Sequence, residues 1–464
     1  HQAANYCPVS AKTCYWRKKM IFLMLQKING HPSRACKLLK NAAGNNLFTK
    51  TLEFSPPARG TWNIVHTGLQ VPETHQIYIC ASGCLRGVVL TAAERAAMSR
   101  FSTIELLEKD LLRTDNEELI IKGVSDILKS LTKLPRAVFV FTACFHHFMG
   151  TDLDYIYQKL RELFPAVAFA ACIMDPIRQS KSMTPEERLR QEIYRLWQPL
   201  PLRAKTCNIL SNNLPTDESS ELITLLKQNN WEVYDMTTCK NYDEFLQMAA
   251  SSLNIFYSPF GHKAARDLKR RLGQDYLYLP QYWRYAEITA NLEKLAQAIN
   301  VNSPDYRLHI ADCELALTAL KKLIASTPIA IDCTFTFCPF SLARLLLEHN
   351  FNVTKIYADA VLPEEQANFA WLKENYGDIE LWSVKNPDGR LAGNANGEKI
   401  ICLGQKAAWF NASPYFVEYV DGGGHYGFDG ILKLTKEISQ AFLIPKDTKK
   451  IISQKGFGGC SLCE

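Results

Sequence analysis

Hydrophobic positions follow two alternating spacings along most of this chain. Short uninterrupted apolar runs, such as 137–142, alternate with longer stretches in which apolar residues recur every three or four positions, such as 115–131. Runs of the first kind are typical of strands buried on both faces, and stretches of the second kind are typical of amphipathic helices. Their regular alternation predicts parallel sheets that are covered by helices.

The alternation divides into three units, and a chain of 464 residues is too long for a single hydrophobic core. The expected fold class is α/β, with three Rossmann-like domains whose parallel sheets surround a central cleft. The predicted boundaries are an irregular N-terminal extension (1–55), a first α/β domain (56–204), a second Rossmann-like domain (205–325), a third one (326–445) and a C-terminal tail (446–464).

One predicted strand ends in a pair of thiols. The apolar run 77–79 leads into Cys80, a turn is predicted over 81–83, and Cys84 precedes a helix predicted over 86–100. Where a strand enters a helix, backbone N–H groups converge and the helix N-terminus favours negative charge, including that of thiolates. This placement predicts a metal or redox site, and the alternative is two buried thiols that act as small hydrophobic side chains.

The strand predicted over 137–142 delivers a third thiol, Cys144, followed by His146 and His147. Parallel strands present their carboxyl ends at one edge of a sheet, so Cys144 is expected to face Cys80 and Cys84. Closely spaced deprotonated cysteines are what an iron–sulfur cluster requires. His146 and His147 are candidates for metal binding or proton transfer, the alternative being ordinary surface or hydrogen-bonded histidines.

The chain carries fifteen cysteines, and its size argues against a disulfide scaffold. A reducing cytoplasm is therefore the expected location. Cys333 and Cys338 are equally compatible with a core and a ligand role. The tail pair, Cys460 and Cys463, supplies half of a four-thiolate site, a redox pair or an accessory end. Five cysteines within apolar segments are predicted to be core: Cys172, Cys207, Cys239, Cys313 and Cys402.

Charge and hydropathy argue against two classes of partner. The net charge of +6 is modest for this size and no lysine or arginine run stands out, which gives little support to nucleic-acid binding. The longest apolar run near the start, 20–25, is too short for a membrane span or a signal peptide. A glycine-rich turn at 421–430, which contains His425, would let an anion or cofactor approach closely.

Several motifs in order resemble those of the nitrogenase component 1 family. They are Gly83-Cys84, Cys144 with Gly-Thr-Asp at 150–152, the segments 340–348 and 356–359, and the segments 404–408 and 422–430. The resemblance covers roughly 58–445. It implies three Rossmann-like domains, and either a homodimer or a heteromer with a sister subunit of the same kind.

The resemblance also implies an iron–sulfur cluster at or near the subunit interface, of the 4Fe–4S type or larger, including the 8Fe–7S type. The cluster would receive electrons from an ATP-dependent iron protein. Cys84 and Cys144 match the family's second and third cluster cysteines. The first is missing at its usual place, so Cys36 or Cys80 is expected to substitute. The glycines expected to contact a cofactor are Gly83, Gly150, Gly423 and Gly424.

Two positions depart from true nitrogenases. Phe256 stands where the resemblance places a cofactor cysteine, and Tyr426 stands where it places a histidine, next to His425. Dinitrogen reduction is therefore not expected. The sequence favours a reductase for an unidentified substrate, with His146, His147 and His425 as its candidate catalytic residues. The alternatives are a non-catalytic scaffold that assembles an iron–sulfur cofactor and an α/β protein with structural zinc.

Overall fold

The computed structural model describes residues 34–49, 53–54, 56, 58, 63–111, 115–174, 183–391 and 398–447. Its strands form three sheets, as the sequence predicts, and the α/β fold class is confirmed. Elements are numbered in chain order, beginning with strand β1 (Cys36–Leu38) and helix α1 (Ile64–Leu69). Among the described helices, none is long and apolar enough to cross a membrane.

The first sheet holds four parallel strands in the order β3-β2-β4-β5. Every residue of β2 and β4 is buried, as expected for apolar runs covered on both faces. The elements are β2 (Thr74–Cys80), α2 (Ser82–Glu94), β3 (Phe101–Glu105), α3 (Glu108–Leu111), α4 (Asn116–Ser130), β4 (Ala137–Ala143), α5 (Cys144–Phe148), α6 (Leu153–Leu163), β5 (Ala168–Met174) and α7 (Pro185–Arg195).

Two of these elements differ from their predicted forms. The prediction of a turn over 81–83 is wrong. Only Ala81 lies outside the helix, with an extended backbone, and α2 already begins at Ser82. Serine and glycine are tolerated in a first helical turn, where the backbone N–H groups have no helical partner. The helix also ends at Glu94 rather than 100, and the segment that follows supplies β3.

Helix α7 was not predicted, although the sequence carries a signal for it. Thr184 precedes Pro185 at the helix start, and its hydroxyl accepts a hydrogen bond from the Glu187 N–H while the Glu187 carboxylate accepts one from the Thr184 N–H. This reciprocal capping box, with proline at the first helical position, is a recognisable helix start. The pattern Thr-Pro-Glu-Glu at 184–187 is therefore the sequence signal for the start of α7.

The second sheet also holds four parallel strands, in the order β7-β6-β8-β9. Two helices connect it to the third sheet, as predicted. The elements are β6 (Arg203–Ile209), α8 (Glu221–Gln228), β7 (Glu232–Asp235), α9 (Tyr242–Gln247), β8 (Ser251–Phe256), α10 (His262–Leu272), β9 (Asp275–Tyr278), α11 (Tyr285–Ala298) and α12 (Arg307–Ile324). Strand β9 was not predicted.

The third sheet has six strands in the order β1-β12-β11-β10-β13-β14, all parallel except β1. The prediction that 1–55 is entirely irregular is therefore wrong, since β1 pairs antiparallel with β12. The other elements are β10 (Ile329–Asp332), α13 (Pro339–Glu348), β11 (Val353–Tyr357), α14 (Gln366–Asn375), β12 (Glu380–Trp382), β13 (Ile401–Leu403), α15 (Gln405–Phe410), β14 (Phe416–Val417) and α16 (Gly427–Leu443).

The three units meet around a buried cation, Arg190 of α7. Its guanidinium is fully buried and donates to Glu186 (2.8 Å) and to the side-chain oxygen of Asn213 (2.6 Å), which follows β6. The Asn213 amide in turn donates to Asp421, before α16, at 2.6 Å. This chain of contacts is here called the Arg190 junction. It joins three residues, each of which comes after a strand of a different sheet. It fixes how their carboxyl edges face one another.

Candidate functional site

Three thiols gather at the carboxyl edge of the first sheet. Cys80 is the last residue of β2, Cys84 lies in the first turn of α2, and Cys144 begins α5 directly after β4. Because β2 and β4 are adjacent and in register at Ile79 and Thr142, the two strand ends lie side by side. Cys80 is buried, Cys144 is half-buried and Cys84 is exposed.

The Cys80 thiol interacts electrostatically with the thiols of Cys84 and Cys144. Burial raises the pKa of Cys80 to about 12, with a further rise from its hydrogen bond to Cys84 and from the nearby Cys84 and Cys144 thiols. Forming a second thiolate at this edge therefore costs free energy unless a cation compensates its negative charge. Iron–sulfur clusters supply such compensation and bind cysteine as thiolate.

The ligand set is incomplete within the described part of the chain. No group of three or more His, Cys, Asp or Glu side chains among the described residues is arranged to hold a metal ion. The donor chemistry fits an iron–sulfur cluster, and the exposure of Cys84 leaves the site open at the protein surface. Further ligands would have to approach from that side.

Cys36 lies elsewhere. It is the first residue of β1, where it pairs with Trp382 in the third sheet and packs in a cluster with Ala35 and Cys333. Burial raises the pKa of its thiol to about 12, with a smaller rise from Glu380. The structure thus brings Cys80, Cys84 and Cys144 to one sheet edge and places Cys36 in another sheet.

Most of the remaining described cysteines are core residues. Cys172, Cys207, Cys313 and Cys402 are buried, as predicted, and Cys239 is half-buried. Cys338 is buried at the start of α13 and Cys333 is half-buried after β10, both among apolar side chains. The predictions for Cys460 and Cys463 lie outside the described residues.

His146, two residues after Cys144, has a buried ring nitrogen without a partner among the described residues. Its ring is buried, and Nδ1 accepts a hydrogen bond from the Ala143 N–H at 3.1 Å, so the proton of a neutral ring resides on Nε2. Burial lowers the pKa of His146, which favours that neutral form. Nε2 has no hydrogen-bond partner among the described residues. The imidazole can therefore donate a hydrogen bond from this atom.

His146 lines a cavity of about 190 Å³ together with His147, Gly150 and Thr151. His147 is exposed. The Thr151 hydroxyl also has no partner within the described ranges. Gly150 has a left-handed backbone (φ 67°), and no atom lies within 4 Å of the position a Cβ would take there or at Gly83. The space beside these two glycines is open.

Gly423 and Gly424, by contrast, lie against protein. A Cβ on Gly423 would come within 3.1 Å of the Tyr419 ring, and one on Gly424 within 2.2 Å of the Pro215 carbonyl oxygen. At Gly424 the glycine permits a close approach between the third unit and the loop after β6. This turn packs the two units together, whatever else it binds.

His425 follows that turn and forms a pair with Asp217. Its Nδ1 donates to the Asp217 carboxylate, which Lys433 also contacts at 2.8 Å. Burial would raise the pKa of Asp217, but hydrogen bonds from His425 and Lys433 outweigh it and hold the pKa below its usual value. His425 is buried, and its Nε2 has no partner among the described residues. The carboxylate thus orients an imidazole whose free nitrogen can exchange a proton.

The two family cofactor positions hold buried aromatic rings. Phe256 is fully buried and stacks on Tyr278, with ring centroids 5.0 Å apart. The Tyr426 hydroxyl donates to the Leu279 carbonyl at 3.3 Å and accepts from the Asn291 amide at 3.1 Å. Neither side chain offers a free thiolate or imidazole to a metal.

A buried carboxyl group, Glu221, lies next to the His425 pair. Burial raises its pKa to about 7, although N–H groups that it faces, including that of Asp429, act to lower it. The native state therefore holds this proton more tightly than the unfolded chain, in which the ordinary value is 4.5. The resulting stabilisation is complete below about pH 4.5 and is lost as the pH rises through about 7.

The variant Glu221→Gln is accordingly expected to be more stable than the parent at pH 8, by about 1–3 kcal/mol, and to lose this advantage at pH 5. Thermal unfolding at the two pH values measures the difference. Glu218→Gln, at an exposed position just before α8, is the matched control and should leave the pH profile unchanged. Parallel profiles for Glu221→Gln and the parent would contradict the raised pKa.

Comparison with known proteins agrees with the α/β fold described above. Residues 65–443 match the family described as nitrogenase component 1 type oxidoreductase. The chain is similar to a solved structure of nitrogenase Cp1 at pH 6.5, with a TM-score of 0.63 and 14% identity over 87% of this chain and 95% of that one. For nitrogenase Cp1 at pH 5 the TM-score is 0.57, with 12% identity over 89% and 94%. Among curated proteins, no sequence matches.

Proposed function

The chain belongs to the nitrogenase component 1 type oxidoreductases, and we propose that it is a subunit of an iron–sulfur reductase. Cys80, Cys84 and Cys144 are its proposed cluster ligands. The observation that carries this proposal is the convergence of these thiols at the ends of two adjacent parallel strands. Cys36 is left out of the ligand set because it lies in the third sheet.

The exposure of Cys84 supports a cluster shared with a second subunit. The surface beside the thiols also exposes apolar side chains, with Phe148 68% and Met149 45% exposed at the end of α5. Exposed apolar groups next to an incomplete ligand set favour burial against another protein. The proposed partner is an identical chain or a sister subunit, and the proposed cluster is of the 4Fe–4S type or larger.

A bound cluster supplies low-potential one-electron transfer. The protein's own contribution would lie in its histidines. His146, two residues after Cys144, presents an Nε2–H that has no partner among the described residues, and Asp217 orients His425 near the Arg190 junction. His147, exposed beside the same cavity, is a third proposed proton carrier. Electrons would come from an ATP-dependent iron protein, and the proposed compartment is the cytoplasm.

The reduced substrate is proposed not to be dinitrogen, since the resemblance places the family's active-site ligands at Phe256 and Tyr426, whose side chains are packed against protein groups. A second candidate function is a scaffold that assembles an iron–sulfur cofactor and then releases it. The exposure of Cys84 favours this alternative, because a surface ligand lets a cluster leave as readily as it enters.

Iron and acid-labile sulfide, counted per chain in protein purified without oxygen, test the proposal. A reductase subunit should contain both in stoichiometric amounts, show a broad visible absorption and keep its iron through dialysis against a chelator. A scaffold should lose iron to the chelator or to an acceptor apoprotein. Zinc without iron and sulfide would overturn both functions.

A further inference from the structure

Cys84 differs from the other described cysteines in being open to solvent. It is exposed, whereas Cys80 is buried and Cys144 is half-buried, and no other cysteine in the described ranges is exposed. Its place in the first turn of α2 favours the thiolate form, because helix N-termini stabilise negative charge. A Cβ placed on the neighbouring Gly83 would have no atom within 4 Å, so the surface beside Cys84 is open.

The buried thiol of Cys80 is in contact with that of Cys84. Only Ala81 separates the end of β2 from the start of α2. The Cys84 N–H donates to the Ala81 carbonyl at 3.0 Å, which brings the first helical turn close to the strand end. The Cys80 thiol is hydrogen-bonded to the Cys84 sulfur. Two thiols in contact across one turn can form a disulfide with little movement of the backbone.

The two thiols differ in reactivity. Burial raises the pKa of Cys80 to about 12, so this thiol keeps its proton at neutral pH and does not attack first. The exposed Cys84 is the better nucleophile, since thiol–disulfide exchange proceeds through the thiolate. An accessible cysteine with a second cysteine beside it is typical of thiols that are oxidised reversibly.

We propose that Cys84 and Cys80 form a reversible disulfide in the cluster-free chain, with a small-molecule disulfide such as oxidised glutathione as the oxidant. The Cys84 thiolate attacks one glutathione sulfur, the glutathione S–S bond breaks, and one glutathione thiolate leaves. Cys80 gives its proton to that thiolate, attacks the Cys84 sulfur and expels the second glutathione, which takes up the proton that Cys84 had released. Two protein thiols are thus oxidised, and one glutathione disulfide is reduced to two thiols.

The disulfide would occupy two of the three proposed cluster ligands, and this consequence rests on the function proposed above. A bound cluster holds both sulfurs as thiolates and so protects them. The oxidised chain could accept a cluster only after a thiol had reduced it. Disulfides in reducing compartments are usually transient, catalytic or redox-sensing. Cluster loading would therefore follow the ratio of thiol to disulfide around the protein.

Tryptic peptides can locate the disulfide. Cys80 and Cys84 share the peptide 60–86, which contains no other cysteine, while Cys144 lies in the peptide 137–159. The iron-free full chain is incubated with oxidised glutathione, its free thiols are alkylated, and the digest is analysed by mass spectrometry. In the parent, 60–86 should escape alkylation and lack both thiol hydrogens, and dithiothreitol should reverse this. A main product that joins 60–86 to 137–159 would overturn the proposal.

Two variants separate the attacking thiol from the thiol that completes the disulfide. Cys80→Ala should stop the reaction after its first step and accumulate glutathione on Cys84, because no second thiol displaces it. Cys84→Ala should leave Cys80 unmodified, since that thiol is buried. Cys144→Ala is the matched control and should form the same disulfide as the parent. Glutathione on Cys80 in the Cys84→Ala chain, or none on Cys84 in the Cys80→Ala chain, would contradict these roles.

Uptake of iron and sulfide without oxygen tests the link to cluster loading. The reduced chain should take up both, and the oxidised chain should take up almost none until dithiothreitol is added. Equal uptake by the two would overturn the regulatory role. A chain that forms the disulfide but never binds iron would overturn the function proposed above and leave the thiol chemistry intact. A chain that binds a cluster but forms no disulfide would overturn the disulfide alone.

Discussion

Replacing Cys84 or Cys144 with alanine is expected to abolish the visible absorption and the bound iron of protein purified without oxygen. Either change removes a thiolate from a set that is already incomplete within the described residues, so the remaining two cysteines cannot retain a cluster. Cys84 is exposed in a first helical turn, where alanine is well tolerated, and the fold should survive. Iron analysis and the absorption spectrum report the loss.

Three further cysteine variants make the ligand assignment specific. Cys80→Ala should also lose the cluster. Cys36→Ala should keep it, because that side chain lies in the third sheet. Cys207→Ala is the control for a buried thiol: it should keep its iron and lose only stability. Full iron content in Cys84→Ala or Cys144→Ala would refute the ligand assignment.

Replacing Arg190 with alanine is expected to lower the free energy of unfolding by about 3–5 kcal/mol. The change leaves Glu186 without its cation and Asn213 without its donor, at the junction of three units where the arginine side chain is fully buried. Burial already raises the pKa of the Glu186 carboxyl group, although the Arg190 guanidinium acts to lower it. Removal of the guanidinium should therefore promote protonation of Glu186. Denaturant unfolding followed by circular dichroism measures the loss.

The matched control for Arg190 is Arg307→Ala, which removes an exposed arginine paired with Asp305 on the surface. It should shift the midpoint little, because solvent screens exposed ion pairs. Arg190→Met, which keeps much of the volume without the charge, separates packing from charge. An Arg190→Ala protein as stable as the parent would contradict the structural role of the junction.

The sequence was most informative where one local pattern determines one element. The fully buried runs of β2 and β4 identify neighbouring parallel strands, and from these the shared edge of Cys80, Cys84 and Cys144 follows. The family resemblance, which rests on several short motifs in order, was confirmed over 65–443. The start of α2 was wrong by a few residues because Ser82 and Gly83 favour turns except in a first helical turn.

The parts that escaped prediction depend on residues far apart in the chain. Asp217 orients His425 although some two hundred positions separate them, and no local spacing marks such a pair. Arg190 could have been found indirectly, since the capping box at Thr184 identifies its helix. That its guanidinium is buried between Asn213 and Glu186 depends on how the units pack, which hydrophobic periodicity does not encode.

Strand β1 has a consequence for how the chain folds as it is synthesised. Cys36 pairs with Trp382, so this strand must wait for a partner made about 350 residues later. At about 5–20 residues per second, that interval is roughly 20–70 s. During this time the first two sheets can form, while 36–38 stays unpaired and open to wrong strand pairing. Its length of three residues limits that risk, and β1 can join the third sheet only after β12 has been made.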